Sequence, residues 1–272
     1  MIDVEVSSKN GLVLNTAGKY CPDNINITIK DSQDIRPENI SKGTTILGVE
    51  GQLTDSMYEQ LLNRSISVAP IPQNVTTIHE YMFFQCKNLT EINIPPQVEL
   101  IEPYAFRYAS NIKVINISEK GSNLTIRSAV FNECPIKSIV LPKRVTSVGW
   151  AFGECKQLTT IEIGNPDIEI YNDSNIVNRA QLGPCYLCPA ISSIIVPPEF
   201  NANIDTYCGI DGVNGVPLTQ ECIHNIMVNY IDRTGKSPLY FVVYPDNVNN
   251  IADEDRQIAE SKNIKIISRG IN

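Results

Sequence analysis

The sequence contains little histidine, little tryptophan and less positive than negative charge. Its 272 residues include two histidines and one tryptophan, and 22 Lys and Arg residues stand against 30 Asp and Glu residues, a net charge of −8. Nucleic acids and anionic lipid surfaces attract proteins through clustered Lys and Arg, so this charge balance disfavours both. We therefore expect no nucleic-acid partner.

Long apolar runs are also missing. No window approaches the ~18 uninterrupted apolar residues of a membrane-spanning helix, and the start, MIDVEVSSKN, lacks the basic and apolar regions of a secretion signal. We expect a soluble chain without membrane insertion, made without a leader, whose eight cysteines stay reduced. Apolar residues make up 42% and charged residues 19%, which is typical of an ordered globular protein.

A repeated frame dominates residues 75–198. Its pattern is C-x-x-L-x-x-I-x-I-P, as in residues 86–95, and the same spacing returns in residues 188–197. Three further copies lie between them, one with Ala109 in the Cys position and one, after Cys134, that is a residue shorter. The frame predicts a short strand, because its apolar positions alternate in the second half and its Pro cannot donate to a ladder.

A second element precedes each frame. It reads V-x-x-I followed by a Phe three residues before the Cys position, and its copies start at residues 75, 98, 124, 145 and 168. The separations of 23, 26, 21 and 23 residues define a period near 23. A fixed period of this length is the signature of a solenoid, in which one coil cannot bury its apolar face alone and neighbours stack. We expect the Phe side chains to fill the interior.

The complete pattern, V-x-x-I-x-x-x-A-F-x-x-C-x-x-L-x-x-I-x-I-P, resembles the leucine-rich repeat of the BspA or treponemal type. That family is common in bacterial surface proteins and in the tail genes of phages and prophages. The resemblance covers about half of the chain, and its last copy departs from the pattern, with Cys185 in the Phe position and an insertion at residues 171–184. It implies an α+β chain built around a leucine-rich-repeat solenoid of about five coils.

Two flanking segments resemble parts of phage and prophage tail-associated proteins. Residues 38–51, ENISKGTTILGVEG, are similar to their N-I-x-x-G-x-x-I-L-G-V-x-G element, and residues 11–29 before it predict a β-hairpin or small β module. Residues 218–268 predict the order helix, strand, helix, strand and are similar to the C-terminal tail of the same proteins. Thr219 is placed to cap the first of these helices, and Asn249 or Asn250 the second.

These features divide the chain into four expected parts. Residues 1–53 form a β-rich attachment module, residues 54–74 a linker helix and N-terminal cap, residues 75–200 the solenoid, and residues 201–272 a C-terminal α/β cap. The helix of the second part is predicted over residues 54–68. Caps are required because an open end of a repeat array exposes apolar surface and unpaired strand edges.

The cysteines are interpreted as core residues rather than as metal ligands. Cys188 holds the same repeat position as Cys86, Cys134 and Cys155, and Cys185 replaces a core Phe, so packing accounts for both members of this C-x-x-C run. A zinc ribbon would need a second C-x-x-C, which is missing. We expect neither a bound metal nor a cofactor.

Catalytic groups are not evident in the sequence. His79 lies where other coils carry unrelated side chains and is expected to point outward, and His224 lies on the polar flank of the first C-terminal helix. Neither accompanies a nucleophile motif such as G-x-S-x-G. The acidic run 253–255 suits the first turn of a helix, and no convincing carboxylate pair of a glycan-cleaving enzyme is present. We therefore expect no enzyme.

The outward residues of the predicted strands are the candidate binding residues. They form two parallel columns along the solenoid, since successive strands lie ~4.8 Å apart, and a merely solvated surface is the equal alternative. The candidates are Glu91, Asn93, Val114, Asn116, Ser138, Val140, Thr160 and Glu162.

Three functions from different classes remain after these exclusions. The first, which we favour, is a phage or prophage virion protein, tail-associated and structural or host-recognising, made in the host bacterial cytoplasm. Its N-terminal module would contact other tail proteins and its solenoid a host surface protein or glycan, and homo-oligomerisation stays open. The second is a bacterial cell-surface adhesin of the same repeat family. The third is a glycan-active enzyme.

Overall fold

The computed structural model describes four strands among the first 50 residues and then residues 64–69, 71–171, 185, 188–205, 218–243 and 248–268. The chain divides into two compact units, Met1–Glu59 and Gln60–Asn272.

The described residues of the first unit form two strand pairs. β1 (Ile2–Val6) pairs in parallel with β2 (Ile25–Ile29), and β3 (Thr45–Ile46) pairs antiparallel with β4 (Val49–Glu50). The strand predicted at β2 is confirmed, but its described partner is the parallel β1 and not the arm of a hairpin. The predicted hairpin arm, within residues 11–24, lies outside the described residues.

The C-x-x-L-x-x-I-x-I-P frames of the second unit form a row of parallel strands, which we name the front strands. Buried and exposed residues alternate along them as the pattern predicted, because one side of each strand faces the core. They are β6 (Glu91–Ile94), β8 (Val114–Ile117), β10 (Ser138–Leu141), β12 (Thr160–Ile163) and β14 (Ser193–Ile195).

The ladder of the front strands is interrupted once. β6 pairs with β8, and β10, β12 and β14 form a separate three-stranded sheet, although β8 lies beside β10. The frame after Cys134 is one residue short, and the connection that follows β8 is the longest of its kind, so the third coil does not continue the register of the second.

The V-x-x-I elements form the back strands, which pair in parallel in an unbroken five-stranded sheet. In the order of that sheet, which is also their order along the chain, they are β5 (Thr77–Ile78), β7 (Leu100–Ile101), β9 (Leu124–Ile126), β11 (Val145–Val148) and β13 (Glu169–Ile170). The solenoid form predicted from the period is therefore present.

The interior between front and back strands contains a stack of phenylalanine rings. The ring centroids of Phe83 and Phe106 lie 4.9 Å apart, those of Phe106 and Phe131 5.3 Å apart, and those of Phe131 and Phe152 5.6 Å apart, with the rings nearly parallel. All four side chains are fully buried, which confirms the predicted core role. Cys185 occupies the next position and is also buried.

The thiols of the solenoid link each coil to the one before it. The Sγ atom of Cys134 donates to the carbonyl of Phe106 at 3.4 Å, that of Cys155 to Phe131 at 3.1 Å, and that of Cys188 to the Phe of the fourth coil at 2.9 Å. The Phe106 and Phe131 carbonyls also accept an amide proton within their own coil. Both lone pairs of these oxygens are thereby used.

Residues 66–72 continue the repeat geometry upstream of the first predicted coil. The segment reads I-S-V-A-P-I-P, so Ile66, Ala69 and Ile71 take the apolar positions of the frame, and all three pack against the core. The amide of Val75 donates to the Pro72 carbonyl at 3.0 Å, as the equivalent Val amides do after the later frames. This partial coil was not predicted, because Ala69 replaces the expected Ile.

Among the described C-terminal residues are two helices and a three-stranded parallel sheet. The elements are β15 (Ile204–Asp205), α1 (Gln220–Asn229), β16 (Leu239–Val243), α2 (Asp253–Ser261) and β17 (Ile264–Ser268), with the sheet order β15-β16-β17. The predicted order of helix, strand, helix and strand is confirmed.

Helix capping follows the prediction at one helix and departs from it at the other. Thr219 caps α1, since its side chain accepts a hydrogen bond from the Cys222 amide at 3.1 Å. The expected Asn cap of α2 is wrong: Ala252 holds the cap position without a side-chain bond, and the Asn250 amide donates to the Leu218 carbonyl instead. The first turn of α2 is acidic, with Asp253, Glu254 and Asp255. These negative charges interact favourably with the positive N-terminal end of the helix dipole.

Two predicted features fall largely on residues that the structure does not describe. The linker helix was expected over residues 54–68, of which residues 54–63 lie outside the described residues and residues 64–68 form a turn and a bend. Most of the insertion in the last coil, residues 172–184, also lies outside them. The boundaries between the four expected parts stay predictions.

Candidate binding surface

The front strands present the candidate residues outward, as predicted. Seven of the eight are exposed, and Thr160 is half-buried. Exposure reaches 45% at Val114 and 52% at Val140, although neither side chain is polar. Ile195 on the last front strand, at the position of Val140 two strands away, is 46% exposed and extends the same column. Their role in binding stays a prediction, whereas their orientation is a property of the fold.

A hydrogen-bonded amide and carboxylate cluster lies on β6 and β8. The Asn116 side-chain amide donates to Oε1 of Glu91 at 2.8 Å and to Oδ1 of Asn93 at 2.9 Å. These three side chains are therefore fixed relative to one another on the surface. Groups held in place before a ligand arrives bind it at a lower cost in conformational entropy.

The surface beyond the interruption is less polar. In one column Val140 and Ile195 lie on either side of Glu162. In the other column Ser138 lies beside Thr160. The front surface thus combines a polar part on β6 and β8 with a mixed aliphatic and hydroxyl part on the later strands. Both parts consist of side chains only, since the strand backbones are occupied by the ladders.

The thiols offer no reactive or metal-binding group on this surface. The six described cysteines are free and buried, and burial raises the pKa of Cys134, Cys155 and Cys188 well above the usual value. A protonated thiol is a weak nucleophile and a poor metal ligand. In the described part of the chain, no three His, Cys, Asp or Glu side chains gather as a metal ion requires.

Each histidine contacts a carboxylate, which the sequence interpretation missed. Nδ1 of the half-buried His79 lies 3.1 Å from Oε2 of Glu102 on the next coil. The side chain at this repeat position therefore makes a specific contact between coils. Nδ1 of His224 lies 2.7 Å from Oδ1 of Asp255, which is 1% exposed and joins α1 to α2. Oδ2 of Asp255 has no hydrogen-bond partner among the described residues. The i, i+31 spacing of this pair carries no sequence signal.

A second surface feature that was not predicted is an aromatic cluster on the first two coils. The rings of Tyr81 and Tyr104 stack with centroids 5.2 Å apart, and Phe84 contacts Tyr81 and Tyr108 edge to face. The Arg107 guanidinium lies over the rings of Tyr104 and Tyr108, 5.4 and 4.6 Å from their centroids. The signal that could have revealed it is the recurrence of Tyr after 23 residues.

Repeating coils of two parallel strand rows around a stacked Phe interior define the class: a leucine-rich-repeat solenoid. A family model described as "BspA type Leucine rich repeat region (6 copies)" matches residues 52–174 and 124–208, more than half of the chain. The chain belongs to the BspA-type leucine-rich repeat family. It is a repeat-based binding protein by family, and its match begins upstream of the first predicted coil.

Three solved structures are similar to this chain. The pneumococcal vaccine antigen PcpA is 15% identical, with 76% of this chain and 42% of that chain covered and a TM-score of 0.39. A leucine-rich repeat protein from Bacteroides ovatus is 17% identical, with 75% and 58% covered and a TM-score of 0.32. A leucine rich cell surface protein from Faecalibacterium prausnitzii is 13% identical, with 72% and 77% covered and a TM-score of 0.22.

This chain spans less than two thirds of the first two of these proteins. No protein with a curated description matches the sequence. None of the helices in the described residues is both long and apolar enough to cross a membrane.

Proposed function

We propose that this protein is a non-enzymatic virion protein of a phage or prophage, associated with the tail and acting in its structure or in host recognition. The front strands bind a protein or a glycan of the host surface, and the N-terminal unit contacts other tail proteins. The tail assignment is supported by the resemblance of residues 38–51 and of the C-terminal segment to tail-associated proteins. The binding role is supported by membership of the BspA-type family.

The observation that carries the binding role is the outward presentation of side chains that the fold does not need. The front strands turn the Ile and Leu side chains of the frame into the core, with Ile117 half-buried, and the residues between them face outward. Val114, Val140 and Ile195 are nevertheless aliphatic and about half exposed. Exposed aliphatic side chains on these parallel strands, together with a fixed amide cluster, give a surface suited to a partner rather than to water alone.

The buried thiols and the paired histidines support a binding role over a catalytic one. A nucleophile would need an adjacent base and an exposed reaction site. The thiols of Cys134, Cys155 and Cys188 are instead protonated donors inside the solenoid. The imidazole of His224 holds a buried carboxylate between two helices.

The tail assignment is tested by locating the protein on particles. Phage particles induced from a lysogen that encodes the chain are labelled with an antibody raised against residues 60–272 and viewed by negative-stain electron microscopy. Label on the tail supports the proposal. Label on the bacterial surface and not on particles replaces it with the adhesin alternative, and label on neither contradicts both.

A further inference from the structure

Arg144 is a buried cation that has no carboxylate partner among the residues that the structure describes. It lies between β10 and β11, is 5% exposed, and its guanidinium donates to four backbone carbonyls. Nε donates to Ser118 at 2.7 Å, Nη1 to Val98 at 2.9 Å and to Ser122 at 2.7 Å, and Nη2 to Pro95 at 3.0 Å. Burial lowers the pKa of this guanidinium. Within the described part of the chain, its charge is balanced by carbonyl dipoles.

The four carbonyls belong to two different corners of the solenoid. Pro95 and Val98 lie in the corner that joins β6 to β7, and Ser118 and Ser122 in the corner that joins β8 to β9. Arg144 lies in the third corner and therefore connects three consecutive coils. Its own carbonyl accepts the Leu124 amide at 2.7 Å, so its main chain is held as well as its side chain.

The second corner, residues 118–123, is folded down onto the first. Gly121 adopts φ +123°, and a Cβ at this position would collide with the Pro96 carbonyl. The Ser122 amide donates to the same carbonyl at 3.1 Å. Only glycine permits so close an approach at this φ, and Arg144 completes the arrangement from the other side.

These three corners flank the interruption of the front ladder. Between β6 and β8, and among β10, β12 and β14, ladder hydrogen bonds set the spacing of neighbouring strands. Between β8 and β10 no ladder is formed, while the back strands pair across the same level through β7, β9 and β11. At this level coils two and three are joined by the back sheet and by interior contacts, such as the Cys134 thiol on the Phe106 carbonyl, but no ladder hydrogen bonds set the spacing of β8 and β10 themselves.

We propose that Arg144 makes up for the missing ladder at the corners: it is a positioning residue that sets the distance between the Glu91, Asn93 and Asn116 cluster and the Ser138 to Glu162 part of the front surface. It holds the corners of coils one and two with its side chain and the start of β9 with its main chain, while the next residues of the chain enter β11. This inference rests on the proposed binding role of the front strands only for its biological meaning, since the geometry it concerns is independent of any ligand.

A structural role alone would predict something different. If Arg144 only stabilised the core, its replacement would lower the midpoint of unfolding and leave the spacing of the front strands unchanged in the folded protein. The distance across the interruption is therefore the readout that separates the two roles.

The experiment measures two matched distances by spin labelling. A ketone-bearing amino acid, which avoids the native thiols, is placed at positions 93 and 140 across the interruption or at 140 and 195 on one side of it. Each pair is two strands apart, ~10 Å in a regular ladder. Dipolar broadening of the nitroxide spectrum is recorded for the wild type and for Arg144→Met and Arg144→Lys, with far-ultraviolet circular dichroism to verify folding.

In Arg144→Met we expect the 93 and 140 pair to lose broadening, with a separation larger by up to ~4.8 Å, one strand spacing, and the 140 and 195 pair to stay unchanged. Arg144→Lys, which donates from a single atom and lacks the planar fork, should show the same shift in smaller degree and remains measurable if the Met variant does not fold. Unchanged broadening of both pairs in a folded variant, or equal changes in both, overturns the inference. The binding role of the front strands is tested separately, by attachment to host cells. The inference about Arg144 and the proposed function can therefore fail independently.

Discussion

The thiol of Cys222 forms hydrogen bonds with both backbone groups of Ile194. Its sulfur accepts the Ile194 amide proton at 3.2 Å and donates to the Ile194 carbonyl at 3.4 Å. Ile194 lies on β14, the last front strand of the described ladder, and its partner on the other side is Ile161. A side chain of α1 thus occupies the backbone groups with which a sixth coil would pair. Left open, this sheet edge could pair with a strand of another chain.

Replacing Cys222 is predicted to free this edge. In Cys222→Ala, we expect faster amide hydrogen exchange in residues 193–195 and a greater tendency to associate at high concentration. Exchange measured by mass spectrometry and light scattering checks both. In Cys222→Ser, the hydroxyl keeps a donor and an acceptor but has a shorter reach. Its exchange rate should therefore lie between those of the wild type and Cys222→Ala. Exchange in residues 193–195 that matches the wild type would contradict the capping role.

The Phe stack is predicted to stabilise the solenoid beyond simple burial. Phe131 contacts a ring on each side, whereas Phe83 contacts one described ring in the stack, and both are fully buried. Phe131→Ala should cost about 3–5 kcal/mol in the free energy of unfolding. Comparison of Phe131→Leu with Phe83→Leu isolates the second ring contact, for which we expect an additional loss of about 0.5–1.5 kcal/mol. Equal losses in urea unfolding would show that stacking adds nothing.

The raised thiol pKa values predict a loss of stability at alkaline pH. An unfolded cysteine ionises near pH ~8.5, while Cys134, Cys155 and Cys188 stay protonated in the folded state. The folded state therefore holds more protons above that pH, and the free energy of unfolding falls as pH rises. The decline approaches ~1.4 kcal/mol per pH unit for each thiol.

Urea unfolding under reducing conditions at about pH 7, about pH 8.5 and about pH 9.5 measures this decline in the free energy of unfolding. Cys155→Ala removes one thiol and should flatten the curve, while losing about 0.5–1.5 kcal/mol at neutral pH with its hydrogen bond to Phe131. A stability that is independent of pH over this range would mean that the thiols are not held protonated by the fold.

The contact between His224 and Asp255 predicts a non-additive pair of substitutions. His224→Ala leaves the buried Asp255 carboxyl without its partner and should cost about 1–3 kcal/mol. Adding Asp255→Ala removes the unpaired group, so the double variant should be less destabilised than the sum of the two single variants. Additive losses in thermal or urea unfolding would show that the two side chains do not interact.

The repeat pattern was sufficient to predict the front strands, the buried Phe residues and the outward candidates, because each depends on local alternation and a fixed period. The V-x-x-I elements were recognised as part of the repeat, but that they form strands was not predicted. The contacts of Cys222, Arg144 and His224 could not be predicted. Each contact joins residues of different coils or elements. The spacing of residues in the sequence does not say how far apart such side chains lie in the fold or which way they point.

Two local predictions failed for identifiable reasons. Asn250 was expected to cap α2 because amides favour such positions, but its amide donates to the Leu218 carbonyl, so a tertiary contact overrides the local preference. The partial coil at residues 66–72 was missed because Ala69 weakens the apolar pattern. Ala69 nevertheless packs against the core, so a small side chain is tolerated at this position of the frame.

Attachment to host cells by two variants of equal charge change tests the central claim most directly. One carries Asn93→Arg, Asn116→Arg and Glu162→Arg on the front strands, and the other carries arginine in place of Thr77, Thr125 and Glu169 on the back strands. Flow cytometry measures binding of the fluorescently labelled proteins to cells of the host strain. We predict that the front variant loses attachment while the back variant binds like the wild type, and equal binding by all three would contradict recognition through the front strands.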